Sequence, residues 1–221
     1  MAEGRVAPRS KGPSERGGDR LSPPRKEERD SSLEARRPAA RRPGRGSRAA
    51  TLDAAFKRIR LLLCDVDGVL TDASVFIGGM QELKRFNIRD GLGLVRLRRA
   101  GLKVGWISGR PSPATTRRAR ELKIDFLRQG KGSKVCAVES LLAQTGFRWD
   151  EVCYMGDDII DLGVLKRAGL AVAVANGVAE VRAAADYVTQ ASGGHGAVRE
   201  VVELILKAQN KWARIVAEYA A

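Results

Sequence analysis

The sequence predicts an α/β fold, a mostly parallel sheet with helices on both faces. Three observations predict it. Short apolar runs alternate with stretches of helical pattern from Leu61 to a last helix that carries Tyr219. The first run, Leu61-Leu62-Leu63-Cys64, is apolar at every position, as a strand buried on both faces must be. Polar residues follow four of the runs, at the carboxyl edge where open α/β sheets hold their ligands.

Residues 1–50 stand apart. They contain no Phe, Trp or Tyr, hold six of the eight prolines, and carry 14 Lys plus Arg against 7 Asp plus Glu, half of the net charge of +14. So little apolar surface cannot offset the entropy of ordering a charged chain, which predicts a disordered basic tail over 1–50 and a folded domain over 51–221. The tail has no aromatic platform for bases and no recognition motif, so nucleic acid is not an expected partner. A non-catalytic or nucleic-acid-associated protein working through the basic arm is the alternative of another class. No run approaches the ~18 apolar residues of a membrane span, and no apolar targeting segment leads the chain. Cys64, Cys136 and Cys153 lack metal-ligand spacing and read as buried free thiols of a reducing, cytoplasmic protein. The positive charge left to the folded part favours an anionic substrate.

The elements follow in order. After the first strand, Val75-Phe76-Ile77, Gly78-Gly79 and the alternating stretch Lys84 to Arg89 predict a β-hairpin flap. Its first arm is apolar on both faces, which predicts packing against another subunit. Asp90 is placed to cap a helix carrying Leu92, Val95 and Leu97, stopped by Gly101. Leu102 to Ile107 is a strand ending at Ser108-Gly109-Arg110, followed by a helix from Ser112 to Lys123. Ile124 to Leu127 is the next strand, and a glycine-rich loop then opens a helix from Val135 to Gln144. Glu151 to Met155 is a strand ending at Gly156-Asp157-Asp158, with Asp161 one turn later. Leu170 to Ala175 and Asp186 to Thr189 complete the sheet. A last helix after Gly196 carries Val198, Val201, Val202, Ile205, Ala208, Trp212, Ile215 and Tyr219 on one stripe.

The strand ends point to phosphate chemistry. Two carboxylates in a half-buried crevice invite a cation or a shared proton. Asp65 is the candidate nucleophile, since carboxylate attack on phosphorus divides one hard step into two. Asp67 is the candidate general acid and base. Ser108 offers a hydroxyl and an amide to a phosphoryl oxygen, and Lys134 supplies a compact positive charge. Asp157 completes an oxygen-rich site for Mg²⁺ with Asp65 and the Asp67 carbonyl. Asp158 and Asp161 are read as supports of Asp157.

Asp65-Val66-Asp67-Gly68-Val69-Leu70-Thr71, Ser108-Gly109-Arg110, Lys134 and Gly156-Asp157-Asp158-Ile159-Ile160-Asp161 resemble, in order and spacing, the four motifs of the haloacid dehalogenase superfamily. Within it, Asn87-Ile88-Arg89-Asp90-Gly91, Gln129-Gly130 and Gly193-Gly194-His195-Gly196-Ala197-Val198-Arg199-Glu200 resemble the 3-deoxy-D-manno-octulosonate 8-phosphate phosphatases. The resemblance implies a Rossmann-like fold without a large cap domain, a homotetramer in which four hairpins pack together, and a Mg²⁺-dependent phosphomonoester hydrolase of lipopolysaccharide sugar biosynthesis. It also implies that Asn87, Ile88, Arg89, Asp90, Gly91, Arg110 and Arg118 bind substrate alongside Asp67 and Lys134, with Arg able to fork onto a carboxylate. A related phosphatase of a nine-carbon nonulosonate 9-phosphate is the alternative within the class.

Overall fold

The computed structural model describes residues 45–78 and 81–220. Its strands are β1 (Leu61–Cys64), β2 (Phe76–Gly78), β3 (Gln81–Leu83), β4 (Lys103–Ser108), β5 (Phe126–Gln129), β6 (Val152–Gly156), β7 (Leu170–Ala173) and β8 (Tyr187–Val188). Its helices are α1 (Arg45–Arg58), α2 (Ile88–Arg99), α3 (Pro113–Glu121), α4 (Lys134–Thr145), α5 (Leu162–Leu165), α6 (Ala179–Ala184), α7 (Ala197–Ala208) and α8 (Trp212–Ala217). Six strands form one parallel sheet in the order β5-β4-β1-β6-β7-β8, and β2 and β3 form a separate antiparallel pair.

The period of two along each strand divides the core into two layers. Leu62 and Cys64 of β1, with Val104 and Trp106 of β4 and Cys153 and Met155 of β6, face α1, α2 and α7. Leu61 and Leu63, with Ile107 of β4 and Val152 and Tyr154 of β6, face α4, α5 and α6. All four residues of β1 are buried, as its continuous apolar run requires. The chain steps from β1 to β4 and β5 on one side, then crosses to β6, β7 and β8 on the other. The strand order therefore reverses at β1, and the crevice above its carboxyl end is where such sheets bind ligands.

Several expected boundaries move, each for a local reason. The helix α1 begins at Arg45 and crosses the boundary placed after residue 50; residues 1–44 of the basic tail lie outside the described residues. The second hairpin arm is Gln81–Leu83, not Lys84 to Arg89. Asn87 preempts it: its side chain accepts from Arg89 N at 2.8 Å and Asp90 N at 3.3 Å, starting α2 at Ile88. Phe86 then stacks on Trp106 instead of lining a strand. Asp90 does not cap α2; it is buried and accepts from Gly196 N at 3.3 Å and Arg199 N at 2.7 Å, so it caps α7. The final helix is two helices, because Asn210 takes a left-handed φ of 57° and Lys211 N returns to Leu206 O at 2.8 Å. The strand expected at Ile124 to Leu127 runs from Phe126 to Gln129. Cys64 and Cys153 are buried free thiols, but Cys136 is exposed on α4. Among the described residues, no helix is long and apolar enough to cross a membrane.

Candidate active site

Loops leaving β1, β4 and β6, together with the N-terminus of α4, enclose a cavity of about 680 Å³ lined by Asp65, Asp67, Ser108, Arg110, Lys134 and Asp157. Four separate stretches of sequence converge because parallel strands deliver their carboxyl ends to one edge. Asp65 follows β1 directly, its N–H donating to Met155 O of β6 at 2.9 Å. The turn after it is fixed by Thr71, whose hydroxyl accepts from Ala73 N at 3.3 Å and donates to Val66 O at 3.4 Å. Gly68 has φ +97°, and a Cβ there would lie 1.9 Å from Asp157 Oδ2. Only glycine lets the β1 loop and the β6 loop close this tightly.

The electrostatic centre is a buried chain of ion pairs. Lys134 Nζ lies 2.9 Å from Asp65 Oδ1 and 2.7 Å from Asp161 Oδ1. The Tyr154 hydroxyl donates to the same Asp161 oxygen at 2.6 Å, while Asp161 Oδ2 accepts from Asp157 N at 3.1 Å and Asp158 N at 3.4 Å. Asp161 is thereby saturated with four donors, and it orients both Lys134 and the Asp157 loop. Asp158 is exposed and caps the turn Ile159–Asp161 through Ile159 N. Burial lowers the pKa of Lys134, but Asp65 and Asp161 outweigh it and hold the ammonium charged.

Three carboxylates share this space, and their titration reflects it. Burial, then the Asp161 charge, pushes Asp65 up to about 6 despite the opposing pull of Lys134. Burial, then Asp65 and Asp161, pushes Asp157 up to about 8. Asp65, Asp157 and Asp161 each offer an oxygen within 4.8 Å of the others, and Asp157 Oδ1 is buried with no hydrogen-bond partner. A cation is the missing partner for such a group. Because Asp161 is already saturated, the free capacity belongs to Asp65 and Asp157, and this all-oxygen donor set fits Mg²⁺.

Ser108 is buried at the end of β4, its Oγ donating to Arg110 O at 2.9 Å and accepting from Arg110 N at 3.2 Å. Arg110 pairs with Glu82 of β3 and stands 3.7 Å from Asp67 Oδ2. Six of the residues that the resemblance assigns to substrate lie off the cavity lining. Asn87 and Asp90 cap helices, and Asn87 Nδ2 also donates to Gly194 O at 3.3 Å. Ile88 and Arg89 are exposed in the first turn of α2. Gly91 is buried against the guanidinium of Arg118, which itself pairs with Glu121 at 2.8 Å. His195 approaches Arg85 Nη2 at 3.2 Å and Gly193 O at 2.9 Å.

Two side chains from the hairpin enter the site that sequence reasoning did not single out. Glu82 accepts from Ser112 Oγ at 2.6 Å, and Lys84 Nζ lies 2.7 Å from Asp67 Oδ1. The available signal was their alternation around Leu83, which is exposed while the side chain of Lys84 is buried. Tyr154 was also passed over, although a polar hydroxyl in an apolar strand must find a partner.

Comparison with known proteins places this geometry. Residues 122–201 match the family model of haloacid dehalogenase-like hydrolases. The chain is 46% identical over 154 residues to the 3-deoxy-D-manno-octulosonate 8-phosphate phosphatase of Yersinia pestis, covering 69% of this chain and 82% of that protein. It superposes with a TM-score of 0.74 on the corresponding enzyme of Moraxella catarrhalis, solved with magnesium ion, phosphate ion and KDO, at 40% identity over 76% of this chain and 97% of that one. The cobalt-bound enzyme of Haemophilus influenzae superposes with a TM-score of 0.70 at 38% identity, covering 72% of this chain and 94% of that one. With most of each relative's length covered at this identity, the chain belongs to the haloacid dehalogenase-like hydrolases and, among them, to the 3-deoxy-D-manno-octulosonate 8-phosphate phosphatase family.

Proposed function

We propose that the chain hydrolyses the phosphate monoester of 3-deoxy-D-manno-octulosonate 8-phosphate, the reaction named for its relatives. The observation that carries the reading is the buried Lys134 bridging Asp65 and Asp161 beside the unpartnered Asp157. Asp65 attacks phosphorus and becomes an aspartyl phosphate, held in line by the Lys134 ammonium. Asp67 gives a proton to the departing alkoxide and then takes one from the water that opens the intermediate. Ser108, through its hydroxyl and backbone amide, holds a phosphoryl oxygen. Bound between Asp65 and Asp157, Mg²⁺ neutralises phosphoryl charge. Asp161 and Tyr154 keep Lys134 from collapsing wholly onto Asp65.

The sugar acid brings a carboxylate as well as a phosphate, and Arg110 is the cation at the cavity wall suited to it. Asn87 to Gly91 and Arg118 serve substrate only where chains meet, because within one chain they stand off the cavity. The hairpin supplies that meeting surface: Phe76, Ile77 and Leu83 are 56%, 87% and 61% exposed. Such a patch is what a homotetramer built through the hairpin would cover. Buried reduced thiols fit a cytoplasmic enzyme.

The test is phosphate release from a panel of eight- and nine-carbon sugar-acid phosphates, with and without Mg²⁺. Turnover is expected on the eight-carbon ester, abolished by chelation and by Asp65→Asn. Faster turnover of a nine-carbon ester would reassign the substrate, and an active Asp65→Asn protein would remove the nucleophile.

A further inference from the structure

We propose that Lys84 is a positioning residue for proton donation by Asp67; the inference rests on the reading of Asp67 as general acid. The Lys84 side chain is 0% exposed, and its ammonium lies 2.7 Å from Asp67 Oδ1 and 3.9 Å from Glu82 Oε1. A lysine so buried needs a partner for its charge. Its location does not depend on Asp67 alone. Lys84 Nζ donates to Thr115 Oγ1 of α3 at 3.2 Å, and Glu82, two residues back on the same arm, accepts from Ser112 Oγ at the start of α3. Arg110 pairs with Glu82 as well. The hairpin is thus pinned to α3 at two points, and the ammonium is held before any substrate arrives.

The chemistry follows from which oxygen remains open. Asp67 Oδ1 faces the ammonium as a charge contact without a directed hydrogen bond, whereas Oδ2 has Arg110 Nε no closer than 3.7 Å. Oδ2 is therefore the oxygen left free to face the leaving group. As the bond from Asp65 to phosphorus forms and the phosphorus–ester bond breaks, the bonding electron pair stays on the ester oxygen. That oxygen takes the proton from Asp67 Oδ2, and the carboxylate left behind is matched by the Lys84 ammonium. The cation gains most where charge appears during the reaction, which is where stabilisation accelerates it. Nothing in this arrangement helps a leaving group that departs as a stable anion.

The experiment compares kcat/KM for the sugar-acid phosphate, a poor alkoxide leaving group, with that for p-nitrophenyl phosphate. Lys84→Met is expected to lose roughly 30-fold or more on the alkyl ester and less than about 3-fold on the aryl ester, as loss of acid assistance requires. Lys84→Arg, which keeps the charge, is expected to recover most of the alkyl rate. Thr115→Val, which removes the second anchor, is expected to show a smaller loss of the same selectivity. Equal losses on the two esters in both Lys84→Met and Thr115→Val would overturn the proposal, since they indicate a structural role alone. Asp67→Asn separates the two levels. An unselective loss there removes the reading of Asp67 as acid, while a selective loss there with an unselective Lys84→Met removes only the role of Lys84.

Discussion

Asp161→Asn isolates the support of the site from its chemistry. Asparagine keeps the shape of aspartate but has one acceptor oxygen and an NH₂ group. Asp161 presently accepts Lys134 Nζ and Tyr154 OH on Oδ1 and the N–H groups of Asp157 and Asp158 on Oδ2. Whichever way the amide turns, its NH₂ opposes two donors, and Lys134 loses one of its two counterions. Removing one partner of a buried ion pair costs about 3–5 kcal/mol. Lys134 keeps Asp65 at 2.9 Å, which puts the expected loss near the lower end, about 3 kcal/mol. For a domain of this size that is a fall in Tm of roughly 6–12 °C. The measurement is a thermal melt followed by circular dichroism at pH 6 with metal chelated. At that pH Asp157, pushed up to about 8, is protonated, so relief of its repulsion with Asp161 contributes little. The control is Asp158→Asn, an exposed capping position expected to cost no more than about 1 kcal/mol. If Asp161→Asn melts within about 2 °C of the parent, or no lower than the control, the four-donor account of Asp161 is wrong.

Other predictions follow from the same contacts. Gly68→Ala places a methyl group 1.9 Å from Asp157 Oδ2 at a φ of +97°, and steady-state kinetics should show a loss of about 100-fold or more with a raised Mg²⁺ requirement. Activity within a few-fold of the parent would mean that the two loops are not tightly apposed. Ile77→Glu puts a charge on the most exposed apolar residue among those described in the hairpin; light scattering is expected to show single chains, and an unchanged assembly would move the interface elsewhere.

What could be read in the sequence, and what could not, separates along the range of the interactions. Leu61 to Cys64 advertise a doubly buried strand because every position must be apolar, and Asp65, Ser108 and Asp157 become visible as a set because each follows such a strand. The start of α2 was misread because five alternating residues, Arg85 to Arg89, form a weak signal, and the Asn87 side chain bonds two backbone amides in competition with it. The division between α7 and α8 was hidden for a different reason: the apolar stripe resumes in phase after Asn210, so periodicity does not register the left-handed residue. Lys84 is the clearest limit. A lysine in a surface hairpin reads as solvated, and only contacts with Thr115 and Asp67, 31 and 17 residues away, turn it inward.

The charges of the site also dictate an order of events. Among the described residues, and leaving aside exposed Asp158, five carboxylates meet here, Asp65, Asp67, Glu82, Asp157 and Asp161, against the three cations Lys84, Arg110 and Lys134. Full ionisation leaves two negative charges uncompensated, one divalent cation's worth. Protons offer a further compensation: burial first, then the neighbouring carboxylates, lifts Asp65 to about 6 and Asp157 to about 8. Both values exceed the unfolded value of 3.8, so at these two sites the folded chain binds more protons than the unfolded one. Their contribution to the stability of the metal-free protein must then fall as pH rises from about 4 to about 8, and level off above. A divalent cation reverses the sign by pairing with the ionised forms, so the gain in Tm on adding Mg²⁺ should be larger at pH 8 than at pH 5.5. Equal gains at the two pH values would show that the carboxylates are already compensated. A phosphate ester adds further negative charge to the same space, so its affinity, measured by calorimetry with metal chelated, should weaken steadily over this pH range and recover when Mg²⁺ is restored.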